Sequence, residues 1–235
     1  MTTNSISVVL AIYGNSKFLS KQIDSIKAQT IQPYEIVVVV DAHPTENLTR
    51  CRLERILSPL NSKILFNEVN IGPSASFAKG IQSTNGEMVV FCDQDDVWFD
   101  FKLEVLAKHF QKGSICYHQG IVFYEGESRR HKLYVGLNRL SLIRLLYKNH
   151  IIGATLCCDG PWLRSVIGES SLYPMHDWVI AVIAKLHSMK IIFIDEALFE
   201  YRRHSETVTK LKGGLQIMKA VRFRIDLLRT ILKLR

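Results

Sequence analysis

Apolar runs alternate with segments of helical periodicity in the first hundred residues, and this alternation restricts the possible fold more than any other feature. Residues 6–12 and 87–92 are mostly apolar, and residues 35–40 contain four consecutive valines. Strands that are buried on both faces have this composition, because helices cover both sides of a parallel sheet. We therefore predict an α/β fold with a mostly parallel sheet and helices on both faces.

The remaining elements are predicted from periodicity and from turn residues. In the first half we expect helices over residues 18–27, 46–57 and after Pro73, and a short strand over residues 63–66. In the second half we expect strands over 115–124, 132–135 and 190–194, a strand or extended segment over 151–158, and helices over 139–148 and 178–186. No internal repeat or linker is evident, so residues 1–209 are interpreted as one domain, which a tail over 210–235 follows.

The composition excludes several classes of protein. Hydrophobic residues make up 47% of the chain and charged residues 22%, which is typical of a globular domain and excludes disorder, collagen and low-complexity arrays. The longest apolar run, residues 178–184, is much shorter than the roughly 20 residues that span a bilayer. The N-terminus does not resemble a secretory signal, and the five cysteines have no CxxC spacing. We therefore expect reduced thiols in a cytoplasmic protein.

The formal charge of +8 is concentrated in the tail. Residues 210–235 contain eight bases and one acid, a net charge of +7 that leaves +1 for the rest of the chain. The high isoelectric point therefore does not indicate a nucleic-acid partner.

The tail also carries an apolar stripe at helical spacing. The stripe consists of Leu211, Leu215, Met218, Val221, Ile225, Leu228 and Leu232. A basic amphipathic helix favours an anionic membrane surface, which predicts a peripheral location at the inner face of the cell membrane. The alternative is a helix that packs on the domain or on another subunit.

A cluster of acids follows the third apolar run. Asp93, Asp95 and Asp96 lie within four residues, and like charges so close together raise one another's pKa unless a cation is bound. Carboxylate oxygens suit Mg²⁺ or Mn²⁺, so the cluster is a candidate metal site. The alternative is a solvated acidic turn in which Asp96 caps the next helix.

Two other aspartates occupy notable positions. Asp41 ends the valine-rich run, and ligands of parallel sheets bind beyond the carboxyl ends of the strands. Its alternative role is that of a turn residue or helix cap. Asp177 precedes the apolar helix over 178–186, where, on this feature alone, it is an ordinary N-cap before a core tryptophan.

Taken together, these motifs resemble the family 2 glycosyltransferases. The similarity lies in residues 8–13 (VVLAIY), 35–41 (EIVVVVD), 70–72 (NIG), 92–98 (CDQDDVW), 102–103 (KL), 153–155 (GAT), 176–178 (HDW) and 201–204 (YRRH). It covers residues 6 to about 207 and is closest to bacterial rhamnosyltransferase-like members that build surface polysaccharides. The resemblance implies the glycosyltransferase A-type fold. In that fold a Rossmann-like nucleotide-binding half, here about residues 1–110, is joined to an acceptor half, here about residues 111–209.

The resemblance also implies roles for individual residues. Asp41 would accept a hydrogen bond from the base of a UDP- or dTDP-linked sugar, Asp93 would face the ribose, and Asp177 would take the proton of the acceptor hydroxyl. Asp95, with His204 as a further ligand, would bind Mn²⁺ or Mg²⁺ against the charge of the departing diphosphate. The other donor-binding positions that the family implies are Ala11, Tyr13, Asn70, Gly72, Lys79, Gly153 and Arg203.

The implied activity is inverting transfer of a sugar from a nucleoside-diphosphate sugar to a saccharide or lipid-linked saccharide. Val40, however, stands where the family usually has the first of two adjacent acids. The alternative is therefore a nucleotide-sugar-binding protein with a degenerate, inactive site. A Mg²⁺-dependent phosphotransferase is a third class, but the sequence contains no phosphate-cradling GxxxxGK loop.

Overall fold

A computed structural model provides the fold. It describes residues 5–14, 17–45, 48–124, 126–135, 140–167, 175–203 and 215–233, with the backbone alone for residues 215–221 and 233. The strands are β1 (Ile6–Tyr13), β2 (Glu35–Asp41), β3 (Ser62–Phe66), β4 (Met88–Cys92), β5 (Val97–Trp98), β6 (Ser114–Tyr124), β7 (Arg130–Lys132), β8 (Leu156–Asp159) and β9 (Lys190–Arg203). The helices are α1 (Leu19–Lys27), α2 (Arg50–Leu57), α3 (Gly72–Gln82), α4 (Lys102–His109), α5 (Leu142–Tyr147), α6 (Gly160–Ile167), α7 (His176–Leu186) and α8 (Leu215–Lys233).

These strands form one sheet in the order β3-β2-β1-β4-β8-β6-β9-β5, with β7 paired to β6. The first four strands of this order are parallel, which confirms the prediction from the apolar runs. Strand β8 is antiparallel to both β4 and β6, while β6 and β9 are parallel. The sheet is therefore continuous from the first half of the chain to the second.

Helices cover both faces of this sheet and divide the core into two layers. Within β1, Val8 and Leu10 belong to the layer that contains α1, α2 and α4, whereas Val9 faces the layer that contains α3, α6 and α7. All three side chains are fully buried. Burial on both faces explains why β1 reads as an apolar run rather than an alternating strand.

The second half departs from the sequence prediction in several places. The strand or extended segment predicted over residues 151–158 is interrupted, because Gly153–Thr155 form a single 3-10 turn and β8 begins only at Leu156. The Thr155 amide and hydroxyl both donate to the Ile152 carbonyl, at 2.9 and 2.7 Å, and this closes the turn. The short strand expected over 132–135 instead lies at Arg130–Lys132, and β9 extends nine residues beyond the predicted end.

The tail forms the predicted helix, α8, but the part of the predicted stripe whose side chains are described is not the face that packs. Leu211 and the side chains of Leu215, Met218 and Val221 lie outside the described residues. Leu227 and Ile231 are buried against the core layer that contains α7. Ile225, Leu228 and Leu232 from the stripe are 45%, 52% and 70% exposed. Helix α8 thus has an inner apolar face and a second, solvent-facing one. Among the described residues, no helix is both long and apolar enough to cross a bilayer.

Candidate functional site

The acids predicted to form a site lie on the loop of residues 93–96, the acidic loop, which joins β4 to β5 at the carboxyl edge of the parallel strands. Gln94 fastens this loop to the end of β1. Its Oε1 accepts from the Tyr13 amide at 3.0 Å, and its Nε2 donates to the Tyr13 carbonyl at 3.1 Å. Gln94 was not assigned a role from the sequence, although it lies inside the acidic motif.

Crowding of negative charge dominates the electrostatics of the acidic loop. Burial, followed by the charges of Asp95 and Asp177, raises the pKa of Asp93 to about 7. Burial and the charges of Asp93 and Asp95 raise the pKa of Asp96 well above its usual value. Asp177, from a distant part of the chain, is thus among the charges that raise the pKa of Asp93.

A buried lysine lies beneath the acidic loop. The Lys102 ammonium donates to the Ala154 carbonyl at 3.0 Å and lies 4.0 Å from the centre of the Trp98 ring. Burial lowers its pKa to about 8, although the charges of neighbouring groups, Asp96 and Asp93 among them, oppose this shift. Lys102 therefore supplies a positive charge to the acids from inside the core. The sequence motif includes Lys102 but does not reveal that it is buried.

Asp41 lies at the end of β2, as predicted, and its carboxylate is held by the start of α3. Oδ1 accepts from the Ile71 amide and from Asn67 Nδ2, both at 3.0 Å, and Oδ2 accepts from the Gly72 amide at 2.8 Å. Asp41 thus caps the start of α3 through the Ile71 and Gly72 amides, as the alternative interpretation from the sequence expected. Oδ1 also accepts from the Ala42 amide at 3.2 Å, so Oδ2 is the oxygen that retains a lone pair for a ligand.

The segment predicted to lie along the nucleotide is built around the same carboxylate. Asn70 Oδ1 also accepts from the Gly72 amide, at 3.1 Å, and Gly72 has a φ of 79°, which favours glycine. The Lys79 ammonium donates to Asn67 Oδ1 at 2.7 Å. Asn67 therefore links Lys79 to Asp41, a contact that no local sequence signal indicated.

Tyr13 and Ala11, the residues predicted to border the base, both lie on β1. The Tyr13 side chain is 46% exposed, and its ring centre is 4.6 Å from that of His43. Ala11 is half-buried and pairs with Val39 of β2. The two positions thus lie next to the strand that carries Asp41.

Asp177 lies in the first turn of α7 and is held by donors from three segments. Its Oδ1 accepts from Asn149 Nδ2 at 2.9 Å and from the Trp178 amide at 2.7 Å, while Oδ2 accepts from the Gly153 amide at 3.0 Å. Burial raises the pKa of Asp177 to about 7 against these hydrogen bonds, which lower it. A carboxylate with a pKa near neutrality suits proton abstraction. Asn149 was not predicted from the sequence.

Gly153 contributes to the site through its backbone. Besides donating to Asp177, it faces the imidazole of His176, which a Cβ at this position would overlap. The His176 ring packs against Phe77 and Phe91, with ring centres at 4.2 and 5.4 Å. Burial lowers the pKa of His176 to about 3, so this histidine is a neutral core residue.

The end of β9 brings two arginines to the acidic loop. Arg202 donates from its amide to Asp96 Oδ1 at 3.3 Å and from Nε to the Asp95 carbonyl at 3.0 Å, so it holds the loop in place. Arg203 lies over the Tyr201 ring at 5.6 Å. Burial and the charges of Asp93 and Asp96 raise the pKa of Tyr201, which places this ring near the acids.

Arg203 remains a candidate for anion binding. In the described part of the chain its Nε is buried without a hydrogen-bond partner. His204, the second predicted metal ligand, lies outside the described residues.

The acidic loop offers a partial site for a divalent cation. Within the described ranges, no three His, Cys, Asp or Glu side chains are grouped as a metal site. Asp95 is nevertheless a partly exposed carboxylate beside Asp93 and the buried Asp96, whose Oδ2 has no hydrogen-bond partner. These hard oxygen donors fit Mg²⁺ or Mn²⁺, which commonly complete their coordination with water and phosphate.

Curated proteins are similar to this chain in sequence. An uncharacterized glycosyltransferase, alr2836 of Nostoc sp., is 33% identical over 110 residues, which cover 47% of this chain and 34% of the relative. The glycosyltransferase GlyA of Streptococcus pneumoniae is 25% identical over 250 residues, which cover 97% of this chain and 35% of the relative. The chain thus spans about a third of the length of each of these curated relatives.

Solved structures share the fold. The crystal structure of S. aureus TarS 1-349 in complex with UDP has a TM-score of 0.66 at 18% identity, covering 94% of this chain and 64% of that one. The complex of the same protein with UDP-GlcNAc has a TM-score of 0.64 at 17% identity, covering 94% and 65%. This likeness confirms the predicted glycosyltransferase A-type fold.

The family model described as "Glycosyl transferase family 2" matches residues 7–165. The match includes β1, the end of β2, the acidic loop and Gly153, and it ends before Asp177. It covers more than half of the chain and agrees with the resemblance drawn from the motifs. The chain therefore belongs to glycosyl transferase family 2.

Proposed function

We propose that this protein transfers a sugar, with inversion, from a nucleoside-diphosphate sugar to a hydroxyl of a saccharide or lipid-linked saccharide in surface polysaccharide synthesis. The observation that carries the proposal is the approach of two acids from opposite halves. Asp93 directly follows β4, and Asp177 lies in the first turn of α7. The ring of His176, beside Asp177, stacks on Phe91 of β4 with 5.4 Å between the ring centres, and the charge of Asp177 raises the pKa of Asp93. A donor and an acceptor bound between them would meet.

The chemistry assigned to Asp177 is general base catalysis. Its carboxylate takes the proton of the acceptor hydroxyl while that oxygen bonds to the anomeric carbon of the sugar. The bond from the anomeric carbon to the diphosphate oxygen breaks, and its electron pair leaves with the nucleoside diphosphate. Attack opposite to the leaving group inverts the anomeric centre. The hydrogen bonds from Asn149 and Gly153 support this role because they fix both carboxylate oxygens.

The donor is assigned to the carboxyl edge of β1, β2 and β4. We place the base near Ala11, Tyr13 and Asp41, and the ribose near Asp93. The segment with Asn70, Gly72 and Lys79 lies beside them. The structures of TarS with UDP and with UDP-GlcNAc support a UDP-linked donor, and a dTDP-linked one remains within the proposal.

The diphosphate is assigned to the acidic loop and the end of β9. Asp95 would hold Mg²⁺ or Mn²⁺, which supplies positive charge for the departing diphosphate when bound. Arg203, whose buried Nε has no partner in the described part of the chain, supports anion binding at the same place. His204 is retained as a further proposed metal ligand.

One observation favours the second candidate, a nucleotide-sugar-binding protein with an inactive site. Both oxygens of Asp41, the one acid left after Val40 replaces its neighbour, already accept hydrogen bonds from the protein. Release of nucleoside diphosphate separates the two candidates. The protein is incubated with UDP- and dTDP-linked sugars and Mn²⁺, and the freed nucleotide is measured. Release above a protein-free control supports the transferase. Donor-dependent thermal stabilisation without any release supports the binding protein.

A further inference from the structure

Helices α5 and α8 are joined side by side on the acceptor half. Arg224 of α8 donates from Nε and Nη2 to the Tyr147 carbonyl at the end of α5, at 3.0 and 2.8 Å. Its guanidinium also lies 4.9 Å from the centre of the Tyr147 ring. Because Leu227 and Ile231 anchor the inner side of α8, the outer sides of both helices have a fixed relative position.

Both outer sides expose large apolar side chains. On α5, Ile143 is 80% and Tyr147 70% exposed, and their spacing of four residues puts them on one side of the helix. On α8, Leu228 is 52% exposed and follows Arg224 by four residues, so it lies on the side that meets Tyr147. The apolar surface therefore continues from one helix to the other.

Positive charge surrounds these apolar residues. Residues 128–158 contain six bases and no acid, and Arg144 and Lys148 within them are exposed at α5. On α8, the side chains of Arg222 and Arg229 are 80% and 73% exposed and flank Asp226 at 3.9 and 3.5 Å. The two arginines thus offset the charge of Asp226, and the electrostatic potential around the apolar residues stays positive.

We propose that α5 and α8 form a single surface that binds an anionic lipid bilayer. This α5–α8 surface consists of the apolar Ile143, Tyr147, Ile225, Leu228 and Leu232 and the basic Arg144, Lys148, Arg222 and Arg229. Apolar side chains enter the boundary between headgroups and acyl chains while the bases bind anionic headgroups. The sequence predicted a membrane-binding tail alone, whereas the packing adds α5 and leaves the inner face of α8 in the core.

The position of the surface also bears on the acceptor. Asn149, two residues beyond Tyr147, donates to Asp177. A saccharide carried on a membrane lipid would thus reach the candidate base from the α5–α8 surface. This consequence rests on the proposed function, whereas bilayer binding does not, since it is measured without donor or acceptor.

The test is co-sedimentation of the full chain with vesicles. We expect binding to vesicles of phosphatidylglycerol and phosphatidylcholine in equal parts, and little binding to pure phosphatidylcholine. Added salt should weaken the binding without abolishing it. Ile143→Asp and Leu228→Asp should each weaken binding roughly tenfold, because each removes apolar insertion and adds repulsion from the headgroups. Both side chains are exposed, so the variants should melt like the wild type.

Tyr34→Asp is the matched control, because it also replaces an exposed large side chain with an acid. Tyr34 lies just before β2 and is 56% exposed. It should leave binding unchanged. Equal binding to both vesicle types would overturn the proposal. If Leu228→Asp weakens vesicle binding and Ile143→Asp does not, α5 is not part of the membrane-binding surface. A wild-type dimer that both variants dissociate, without vesicle binding, would assign the surface to a second copy of the chain instead.

Discussion

The side-chain amide of Asn149 donates to Oδ1 of Asp177 at 2.9 Å, and it joins the loop after α5 to the first turn of α7. Asn149 is itself fixed, because its Oδ1 accepts from the Ile151 amide at 3.1 Å. The orientation of the candidate base therefore depends on a residue 28 positions earlier in the chain.

We expect Asn149→Ala to lower kcat roughly tenfold with little change in donor affinity, because the base loses one of its orienting contacts. This hydrogen bond lowers the pKa of Asp177, so its loss should also move the midpoint of the pH–rate profile upward. Steady-state kinetics across pH measures both effects. Asn61→Ala, which removes a hydrogen bond to the Tyr34 carbonyl away from the site, is the control. An unchanged pH midpoint would contradict a positioning role for Asn149.

Asp177→Asn should lower kcat by roughly 100-fold or more while donor binding stays nearly intact, the scale expected for a lost general base. Calorimetric donor binding and initial rates separate the two quantities. Asp159→Asn is a matched control, since Asp159 also accepts from two backbone amides, that of Gly113 at 2.8 Å and that of Trp162 in the first turn of α6 at 2.9 Å. A donor affinity that falls as far as the rate would make Asp177 a binding residue.

The rate should also depend on pH in a definite direction. Burial raises the pKa of Asp177 to about 7, and a general base acts only in its deprotonated form. Activity should therefore be low at pH 5, rise through about pH 7 and level off above it. The profile of kcat with saturating donor measures this. A rate that falls over the same interval would exclude Asp177 as the base.

Asp95→Asn should abolish transfer and remove the dependence of donor binding on Mn²⁺ while the fold survives, because an amide is a much poorer ligand for a hard cation. Thermal shifts with UDP-sugar, recorded with Mn²⁺ and with EDTA, measure this dependence. Asp100→Asn, an exposed acid shortly after the loop, should behave as the wild type. Wild-type activity in the Asp95 variant would rule out the metal assignment.

Gly153→Ala should destabilise the protein by about 1–3 kcal/mol, because the added methyl group overlaps the buried imidazole of His176. Rates should fall as well, since the Gly153 amide holds Asp177. Urea unfolding measures the free energy. The double variant Gly153→Ala, His176→Ala should recover part of the loss, and failure to recover any would mean that the backbone, rather than the imidazole, opposes the methyl group.

Local sequence was sufficient for the parallel strands of the first 110 residues, although it did not indicate β5 or the bounds of α4. It was insufficient for much of the rest of the chain. Strands β1, β2 and β4 are apolar on both faces, so their composition alone revealed them. Strand β9 carries the exposed Asp195 and Glu196 before it returns to the core at Leu198 and Phe199. These charges interrupt the apolar pattern, so the sequence predicted only the first part of the strand. The turn at Gly153–Thr155 depends on packing against α7, which no local pattern encodes.

Some residues of the candidate site could also be predicted from the sequence, and others could not. The acids at 93–96 and Asp177 stand out in the sequence as charged residues beside apolar segments. Asn149 and Lys102 have no such signal, because their roles arise from contacts with Asp177 and with Ala154, far away in the chain. Their assignment required the tertiary structure, and so did the finding that α8 has two apolar sides.

The pairing of β4 with β8 has a consequence for any attempt to divide this protein. Met88 and Val90 pair with Asp159 and Cys157, so β4 is an interior strand although it closes the parallel part of the sheet. A fragment ending near residue 110 would leave the backbone amides and carbonyls of β4 that face β8 without partners along a wholly apolar edge. Such an edge recruits other strands, and the fragment would aggregate. We therefore expect that residues 1–110 do not fold as an autonomous unit.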